Sequence, residues 1–427
     1  MVDFEYPKVL VVSNNSFSQT NSNGRTLGNF FAGWPKERLA QFCISTTEPD
    51  YKLCDNYYVI TDREMLSAFT HFRKAMRVPI EKCIGSAGNT VIHGETKSFK
   101  TPTKMLLRNI VWGRERWASK DFNQWVDDFN PDIVLLMNSD SAFMFRVAEY
   151  VANRSEAKIA MFNTEGFYFF KKSWTRMELA IDKWAFPFYQ SIYRKTYLNF
   201  MRNTKLVIYG NSLLEEDYQT VCKHKSAVLY TSSELDFNEN PIEVSKPVFS
   251  YLGNFGFNRA KALVEIAEIL QSINPTYKLD VYGKFPSKDV EDLFNNCQAV
   301  NIKGFISYEK VKEVIYNSTI LFHAEVQDEA QAEGLRYGFT TKIADSISSG
   351  RCFFMYSSPE IAGAKYIIET QAAWFAKTKD EVKVQIERIL NDGDYRDSIL
   401  RTAKRIASEN HNMEVNKERF VKMLIEI

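Results

Sequence analysis

Short apolar segments recur along the chain and alternate with stretches of helical periodicity. Segments that are apolar at nearly every position suit strands covered on both faces, as in parallel sheets with helical crossovers. The first half therefore predicts a doubly wound α/β domain. Its predicted strands are Lys8–Ser13, Gln41–Ser45, Asn56–Ile60, Asp132–Asn138, Lys158–Asn163, Lys205–Tyr209 and Ala227–Tyr230.

The pattern restarts after a polar, proline-containing segment, TSSELDFNENPIEVSKP, which reads as a linker. The strands predicted beyond it are Val248–Leu252, Lys278–Tyr282, Ala299–Ile302, Thr319–His323 and Cys352–Tyr356. A chain of 427 residues exceeds the roughly 250–300 at which one core stops growing, so we expect two domains. The predicted division is an N-terminal domain over 1–231, a linker over 232–247, a C-terminal domain over 248–410, and a helix over 411–427 packing back on the first domain.

The amino-acid composition argues against some classes of protein. Lys and Arg number 54 against 53 Asp and Glu, which does not favour a protein that coats nucleic acid. Six cysteines are scattered without a CxxC pair, as in a reducing, cytoplasmic setting. MVDFEYPKVLVV reads as a first strand, not a signal peptide, and no apolar run approaches the ~20 residues of a membrane span.

Doubly wound sheets bind ligands at the carboxyl ends of their strands. Two such domains facing each other would enclose a cleft, which suits a transferase with two substrates. The segment LRYGFTTKIADSISSG places Thr340, Thr341 and Lys342 at the start of a predicted helix. Free backbone N–H groups, the helix dipole and the ammonium would all favour a diphosphate there.

Two turns after predicted first strands are further candidates. In YLGNFGFNRAKALVEI, Gly253 permits a tight turn, and Arg259 opens a helix, where a cation is unfavourable unless it faces an anion. A solvated arginine is the alternative. The polar loop SNNSFSQTNSNGRTLGNFF contains Gly24, which would let the backbone approach a phosphate or would simply serve a structural turn.

Carboxylates follow two predicted strands. Glu165 comes just past Lys158–Asn163, where it could orient an acceptor hydroxyl or take its proton, or could be an ordinary surface residue. HAEVQDEAQAEG holds several acids, of which Glu325 lies nearest the strand end. These acids could hydrogen-bond sugar hydroxyls or form a solvated loop. The others are Asp328, Glu329 and Glu333.

Aromatic and basic residues concentrate in residues 167–205, which hold twelve aromatics and a local charge of +6. Residues 97–120 carry seven bases against one acid. This mixture is typical of contact with an anionic membrane surface. Burial of the aromatics in the core, or binding of single-stranded RNA, would use the same ingredients.

The order and spacing of YLGNFGFNRAKALVEI, LDVYGK, VNIKGFISYEKVKEVIYNSTILFHAE and FTTKIADSISSGRCFFMY resemble the donor half of GT-B glycosyltransferases. The closest likeness is to the retaining group called family four, which includes enzymes of bacterial capsule and lipopolysaccharide assembly. It covers most of residues 248–360. The resemblance implies two Rossmann-like domains facing a cleft, the GT-B architecture.

The resemblance also implies site residues. The family's Arg and Lys for the diphosphate match Asn254 and Arg259, so the first is replaced. Its paired glutamates fall on Tyr337 and Asp345, so the first is missing and the second is shortened. Glu325 and Lys342 could compensate for the lost contacts.

The backbone at Gly304 and Phe305 corresponds to the loop that usually meets the nucleobase. The implied reaction moves a sugar from a nucleotide diphosphate to an acceptor hydroxyl, with retained configuration and no metal or other cofactor. The acceptor would be a glycan or a lipid-linked glycan, held at the inner face of the cell membrane. Two alternatives stay open: a sugar-nucleotide epimerase of the same fold, and a scaffold that has lost catalysis and keeps membrane or partner binding.

Overall fold

The structure is a computed structural model. It describes residues 5–18, 22–44, 49–79, 100–173, 179–256, 259–325, 327 and 329–427. The chain divides into two compact units, the first formed by residues 1–230 together with 416–427 and the second by residues 231–415. The segment 232–247, expected to be a linker, thus belongs with the second unit.

The first unit contains a seven-stranded sheet in the order β3-β2-β1-β4-β5-β6-β7, and every pairing between neighbours is parallel. Its strands are β1 (Val9–Ser13), β2 (Leu39–Cys43), β3 (Asn56–Val59), β4 (Ile133–Met137), β5 (Lys158–Asn163), β6 (Thr204–Tyr209) and β7 (Ser226–Val228). All residues of β1 and β4 are buried, because helices cover both faces of a doubly wound sheet.

Several helices of the first unit begin at a residue whose side chain caps the helix. Thr61, Ser119 and Asn211 each accept a backbone hydrogen bond from a residue in the first turn. The described helices are α1 (Ser22–Phe30), α2 (Asp62–Thr70), α3 (Pro102–Trp112), α4 (Lys120–Phe129), α5 (Phe143–Ser155), α6 (Asp182–Met201) and α7 (Ser212–Val221).

The second unit contains a six-stranded parallel sheet in the order β10-β9-β8-β11-β12-β13. Its strands are β8 (Phe249–Leu252), β9 (Leu279–Tyr282), β10 (Val300–Gly304), β11 (Ile320–Ala324), β12 (Cys352–Tyr356) and β13 (Trp374–Ala376). The edge strand β13 has three residues, too few for an apolar run to predict it. Both units are doubly wound α/β folds, as predicted.

The described helices of the second unit are α8 (Arg259–Ile273), α9 (Lys288–Asn295), α10 (Tyr308–Asn317), α11 (Glu329–Leu335), α12 (Thr341–Ser348), α13 (Ala362–Thr370), α14 (Lys379–Asn391) and α15 (Gly393–Ile406). The last helix, α16 (Met413–Ile425), crosses the division at residue 416. Its Phe420 stacks on Phe30 and meets Phe31 and Trp34 edge-on, so it completes the core beneath β1 of the first unit.

Two further properties concern the described residues. None of their helices has both the length and the apolar character required to cross a bilayer. Their five cysteines are free, whereas Cys83 lies outside the described residues.

Candidate active site

Each sheet has one point at which its strand order reverses, and such switch points are where doubly wound folds bind ligands. In the second unit the reversal lies between β8 and β11. Residues in and directly after the last part of these strands, together with the starts of α8 and α12, form a charged cluster. We call it the donor cluster, and its members are Tyr251, Gly253, Asn254, Arg259, His323, Glu325 and Lys342.

Gly253 makes the turn after β8. Its φ is +148°, a conformation that residues with side chains rarely adopt, and its N–H donates to the Tyr282 carbonyl at 2.8 Å. A Cβ atom at this position would lie 1.8 Å from the Lys342 Nζ atom. Glycine is therefore required both by the turn and by the ammonium that lies against it.

Lys342 reaches the turn from the start of α12. Thr340 is the N-cap residue, and its hydroxyl accepts from the Lys342 N–H at 3.2 Å. The Lys342 Nζ atom lies 3.5 Å from the Tyr251 hydroxyl and 4.9 Å from the centre of its ring. Burial, and then the nearby Arg259 charge, lowers the pKa of Lys342 to about 8. In the described part of the chain this ammonium has no carboxylate within ion-pair distance.

Arg259, the first residue of α8, is already paired. Its Nε and Nη2 atoms donate to the two oxygens of Glu325 at 2.9 and 2.7 Å, and its Nη1 donates to Asn254 Oδ1 at 2.7 Å. This fork places the guanidinium beside the Gly253 turn and neutralises much of its charge.

His323 lies behind the ion pair, with its Nε2 atom 2.9 Å from a Glu325 oxygen. Burial lowers the pKa of His323, so the ring is neutral and Nε2–H is the donor. Burial alone would raise the pKa of Glu325, but the hydrogen bonds from His323 and Arg259 overcome it and lower that pKa to about 2. The His323 Nδ1 atom is buried and has no hydrogen-bond partner among the described residues.

Gly304 ends β10, two strands from β8, and Phe305 follows it. Gly304 has a φ of +75°, and its carbonyl accepts from Gly283 N–H at 3.0 Å. Phe305 is 68% exposed, and the Lys284 ammonium lies 4.4 Å from the centre of its ring. An exposed flat ring beside a cation is a suitable neighbour for another planar group.

The switch point of the first unit lies between β1 and β4 and differs in chemistry. A pocket of about 190 Å³ opens there. The residues that line it are Asn14, Asn15, Lys100, Met137, Asn138, Ser139, Asp140, Glu165 and Phe167. We call it the amide pocket.

Amides and carboxylates dominate the amide pocket. Lys100 Nζ donates to Asp140 Oδ2 at 2.7 Å, and Asn138 Nδ2 donates to Asn163 Oδ1 at 2.8 Å. Among the described residues, Asn14 Oδ1 is a buried atom of the pocket lining that has no hydrogen-bond partner. An unpaired buried acceptor is costly, and a hydroxyl group of a ligand would donate to it.

Glu165 stands at the rim of the amide pocket and stays accessible to solvent. Desolvation by the surrounding protein, and then the Asp140 charge, raises the pKa of Glu165 to about 7. A carboxylate with such a pKa can exchange a proton near neutral pH, as a general base requires.

Gly24 lies in the first turn of α1. A Cβ atom there would approach the Ser16 carbonyl oxygen to 2.7 Å and the Ser18 nitrogen to 2.9 Å. The close approach of its own loop therefore explains why this position is glycine.

Comparison with known proteins bears on the fold. No family model matches the chain, and no curated protein matches it. Solved structures match over nearly the whole length. HepE from Anabaena in complex with UDP has a TM-score of 0.64 at 12% identity, covering 98% of this chain and 100% of HepE. The chain has the GT-B fold.

Two further GT-B structures agree. Sucrose-phosphate synthase from Thermosynechococcus elongatus has a TM-score of 0.61 at 12% identity, covering 98% of each chain. The lipopolysaccharide outer core galactosyltransferase WaaB in its apo form has a TM-score of 0.57 at 14% identity, covering 98% of this chain and 99% of WaaB. At these identities the likeness establishes the GT-B fold of the chain.

Within the GT-B fold, the predicted site residues separate into groups. Arg259, Lys342, Gly253, Asn254 and Glu325 come together in the donor cluster, and Thr340 and Thr341 begin the helix that presents Lys342. Asp345 lies one turn further along α12, where it accepts from the Ser233 hydroxyl at 2.7 Å.

The acidic loop after β11 is described only in part. Asp328 and the side chain of Glu329 lie outside the described residues, and Glu333 is exposed. No group of three or more His, Cys, Asp or Glu side chains suited to a metal ion occurs in the part of the chain that the structure describes.

Sequence reasoning missed His323 as a partner of Glu325, and it missed Asn14, Lys100, Asn138 and Asp140 in the amide pocket. Asn14 directly follows β1 and Asn138 directly follows β4, the strands that flank the switch point. Position after a strand was therefore an available signal.

Proposed function

We propose that this GT-B protein is a glycosyltransferase that moves a sugar from a nucleotide diphosphate to an acceptor hydroxyl. The observation that carries the proposal is the Lys342 ammonium, which lies at the switch point, at a helix start, against a glycine turn and without a paired carboxylate in the described residues. These features favour an anion of high charge density. A diphosphate has the charge and length to span Lys342 and the Gly253 turn.

In the proposed reaction, the bond between the anomeric carbon and the diphosphate oxygen breaks, and negative charge grows on the leaving diphosphate. Lys342 and Arg259 stabilise that charge, which makes transfer favourable without a metal. Because Glu325 already neutralises much of Arg259, Lys342 supplies the larger share. The nucleobase lies on the Gly304–Phe305 backbone, beside the exposed ring.

The acceptor binds in the amide pocket. A sugar hydroxyl donates to the unpaired Asn14 Oδ1 atom. The attacking hydroxyl forms its bond to the anomeric carbon on the face that the diphosphate leaves, so that the configuration is retained, and Glu165 accepts the hydroxyl proton. The acceptor is a glycan, lipid-linked in surface polysaccharide synthesis. The family resemblance and the likeness to WaaB, named as a lipopolysaccharide galactosyltransferase, support these finer assignments.

The test is nucleotide release from a panel of nucleotide sugars, beginning with UDP-glucose because HepE has been solved with it. Release is recorded with and without a lipid-extract acceptor and with and without EDTA. Lys342→Ala and Arg259→Ala are compared with Lys310→Ala, an exposed lysine of α10 in the same unit.

Acceptor-dependent release that survives EDTA and falls in both site variants, but not in Lys310→Ala, supports the transferase, and NMR of the product gives its anomeric configuration. An epimerised sugar nucleotide without transfer identifies the epimerase alternative. Failure of every nucleotide sugar to shift the melting temperature contradicts the donor site and favours the scaffold.

A further inference from the structure

Exposed apolar side chains concentrate on one part of the first unit. Ten of the seventeen large hydrophobic residues that are exposed in the described residues lie on α2, α3 and α6 or directly beside them. They are Leu66, Phe72, Met76, Leu107, Ile110, Leu179, Ile181, Trp184, Phe188 and Leu198. We call this surface the α2–α3–α6 face. An apolar concentration of this kind marks an interaction site.

The three helices form one fixed surface. Helix α3 packs against both α2 and α6. The buried Asp182 carboxylate accepts from the Thr103 N–H at 3.1 Å and from its hydroxyl at 2.6 Å, which ties the starts of α3 and α6 together. Asp62 on α2 accepts from Arg108 and Trp112 of α3, both at 2.8 Å. The exposed side chains are therefore presented by packed helices.

The aromatic residues of 167–205 divide between two environments. Phe186, Tyr189, Tyr193, Tyr197 and Phe200 are buried, so the core interpretation holds for them. Trp184 is 82% exposed and Phe188 is 63% exposed, one helical turn apart on the outer side of α6. Residues 97–99 and 174–178, part of the two predicted membrane segments, lie outside the described residues.

The segments that carry the exposed apolar residues are rich in positive charge. Residues 62–79, 100–120 and 179–202 together hold fourteen Lys and Arg against four Asp and Glu, a formal charge of +10. The whole chain carries only +1, so the rest of the chain is net negative. Among the exposed bases are Lys104 on α3 and Lys183 on α6, close in sequence to Leu107 and Trp184.

We propose that the α2–α3–α6 face docks on the surface of an anionic lipid bilayer, with Trp184 and Phe188 entering the headgroup boundary and the surrounding bases pairing with lipid phosphates. Such a surface has an anionic headgroup layer and an apolar layer beneath it. Basic residues suit the first layer and exposed apolar residues suit the second. This inference concerns where the protein binds and does not rest on the proposed transfer reaction.

The composition of the face disfavours the other occupants. Single-stranded nucleic acid needs aromatic rings on which bases stack, whereas seven of the ten exposed residues are aliphatic. A second copy of the chain in a symmetric dimer would bring two faces of like charge together.

Sedimentation with vesicles tests the proposal, with no nucleotide sugar present. We expect binding to phosphatidylcholine vesicles that contain about one third phosphatidylglycerol, little binding to phosphatidylcholine alone, and weakening by salt. Trp184→Gln with Phe188→Gln should lower the partition coefficient about tenfold, as should Lys104→Gln with Lys183→Gln. The matched control, Ile368→Gln with Val384→Gln, replaces exposed apolar residues of the second unit and should bind as the wild type does.

Fluorescence gives an independent readout of insertion. Of the six tryptophans in the described residues, Trp184 is exposed and the other five are buried. In a Trp174→Phe background, anionic vesicles should shift the emission to shorter wavelength, and Trp184→Gln should abolish the shift. Binding that both site pairs leave unchanged would overturn the proposal. The proposal would also be overturned if the protein bound a single-stranded oligonucleotide instead of vesicles and the Trp184 and Phe188 substitutions removed that binding.

Discussion

The two switch points of the molecule occupy the same place in two similar folds and carry opposite chemistry. The donor cluster of the second unit is cationic, and most of its charged groups have hydrogen-bond partners. Arg259 and His323 both hydrogen-bond to Glu325, and only Lys342 remains without a carboxylate in the described residues. The amide pocket of the first unit is neutral to acidic, and its lining includes a buried amide oxygen, Asn14 Oδ1, that has no partner among the described residues. The shared doubly wound topology thus gives both units a switch point, and the residues after the strands give the two switch points different chemistry.

The largest expected effect is that of Lys342→Ala. Removing the ammonium that faces the leaving diphosphate should lower kcat/KM for the nucleotide sugar about 100-fold or more. Lys310→Ala should leave kcat/KM unchanged. Steady-state kinetics would measure both variants. If Lys342→Ala kept more than about half of the wild-type kcat/KM, the proposed role of Lys342 in stabilising the diphosphate would be wrong.

Glu165→Gln tests the other half of the comparison. Loss of the general base should lower kcat about 100-fold and leave donor affinity, measured by titration calorimetry, nearly unchanged. Glu5→Gln, at the opposite end of the same sheet, is the control. A weakened donor affinity with a normal kcat would place Glu165 in the donor site. The proposed difference between the two switch points would then be wrong.

The pH dependence of kcat/KM should distinguish the two switch points. We expect kcat/KM to fall about tenfold over one pH unit on each side of its maximum. The raised pKa of Glu165, about 7, means that its basic form is lost as pH falls below 7. The lowered pKa of Lys342, about 8, means that its charge is lost as pH rises above 8. A bell-shaped profile results. Glu165→Gln should remove the acid limb and Lys342→Arg the alkaline limb, whereas a flat profile would contradict both assignments.

Gly253→Ala should have a smaller effect. The new methyl group would displace the Lys342 ammonium and strain a φ of +148°, costing about 1–3 kcal/mol of stability and about tenfold in nucleotide affinity. Gly334→Ala is the control, because nothing lies within 4 Å of the added atom. Thermal unfolding and nucleotide titration measure both effects, and equal behaviour of the two variants would show that the turn is not required for the cluster.

Sequence predicted the sheets well because buried parallel strands have a direct signature. Lys158–Asn163 and Cys352–Tyr356 match β5 and β12 at both ends. The prediction Gln41–Ser45 lies two residues late for β2, because the strand begins where its pairing with β1 begins, at Leu39. The confirmed GT-B fold follows from this alternation together with the turn after β8.

The candidate sites were less accessible to prediction. Gly253, Arg259 and Lys342 were individually visible, because each follows a strand or begins a helix. The fork between Arg259 and Glu325, and its support by His323, depend on side-chain geometry across 66 residues of sequence. Asp140 and the unpaired Asn14 escaped prediction because one polar residue after a strand resembles any other until neighbouring strands place several together.

The path of α16 has a consequence for the order in which the protein is made. The last twelve residues belong to the first unit, where Phe420 contacts Phe30, Phe31 and Trp34. During synthesis the first unit therefore emerges with its core open, and the entire second unit must follow before that core can close. Folding of the N-terminal unit is completed only when residues 416–427 have left the ribosome, so a product truncated just before them would be recognisable by an unfinished first unit rather than by a missing second one.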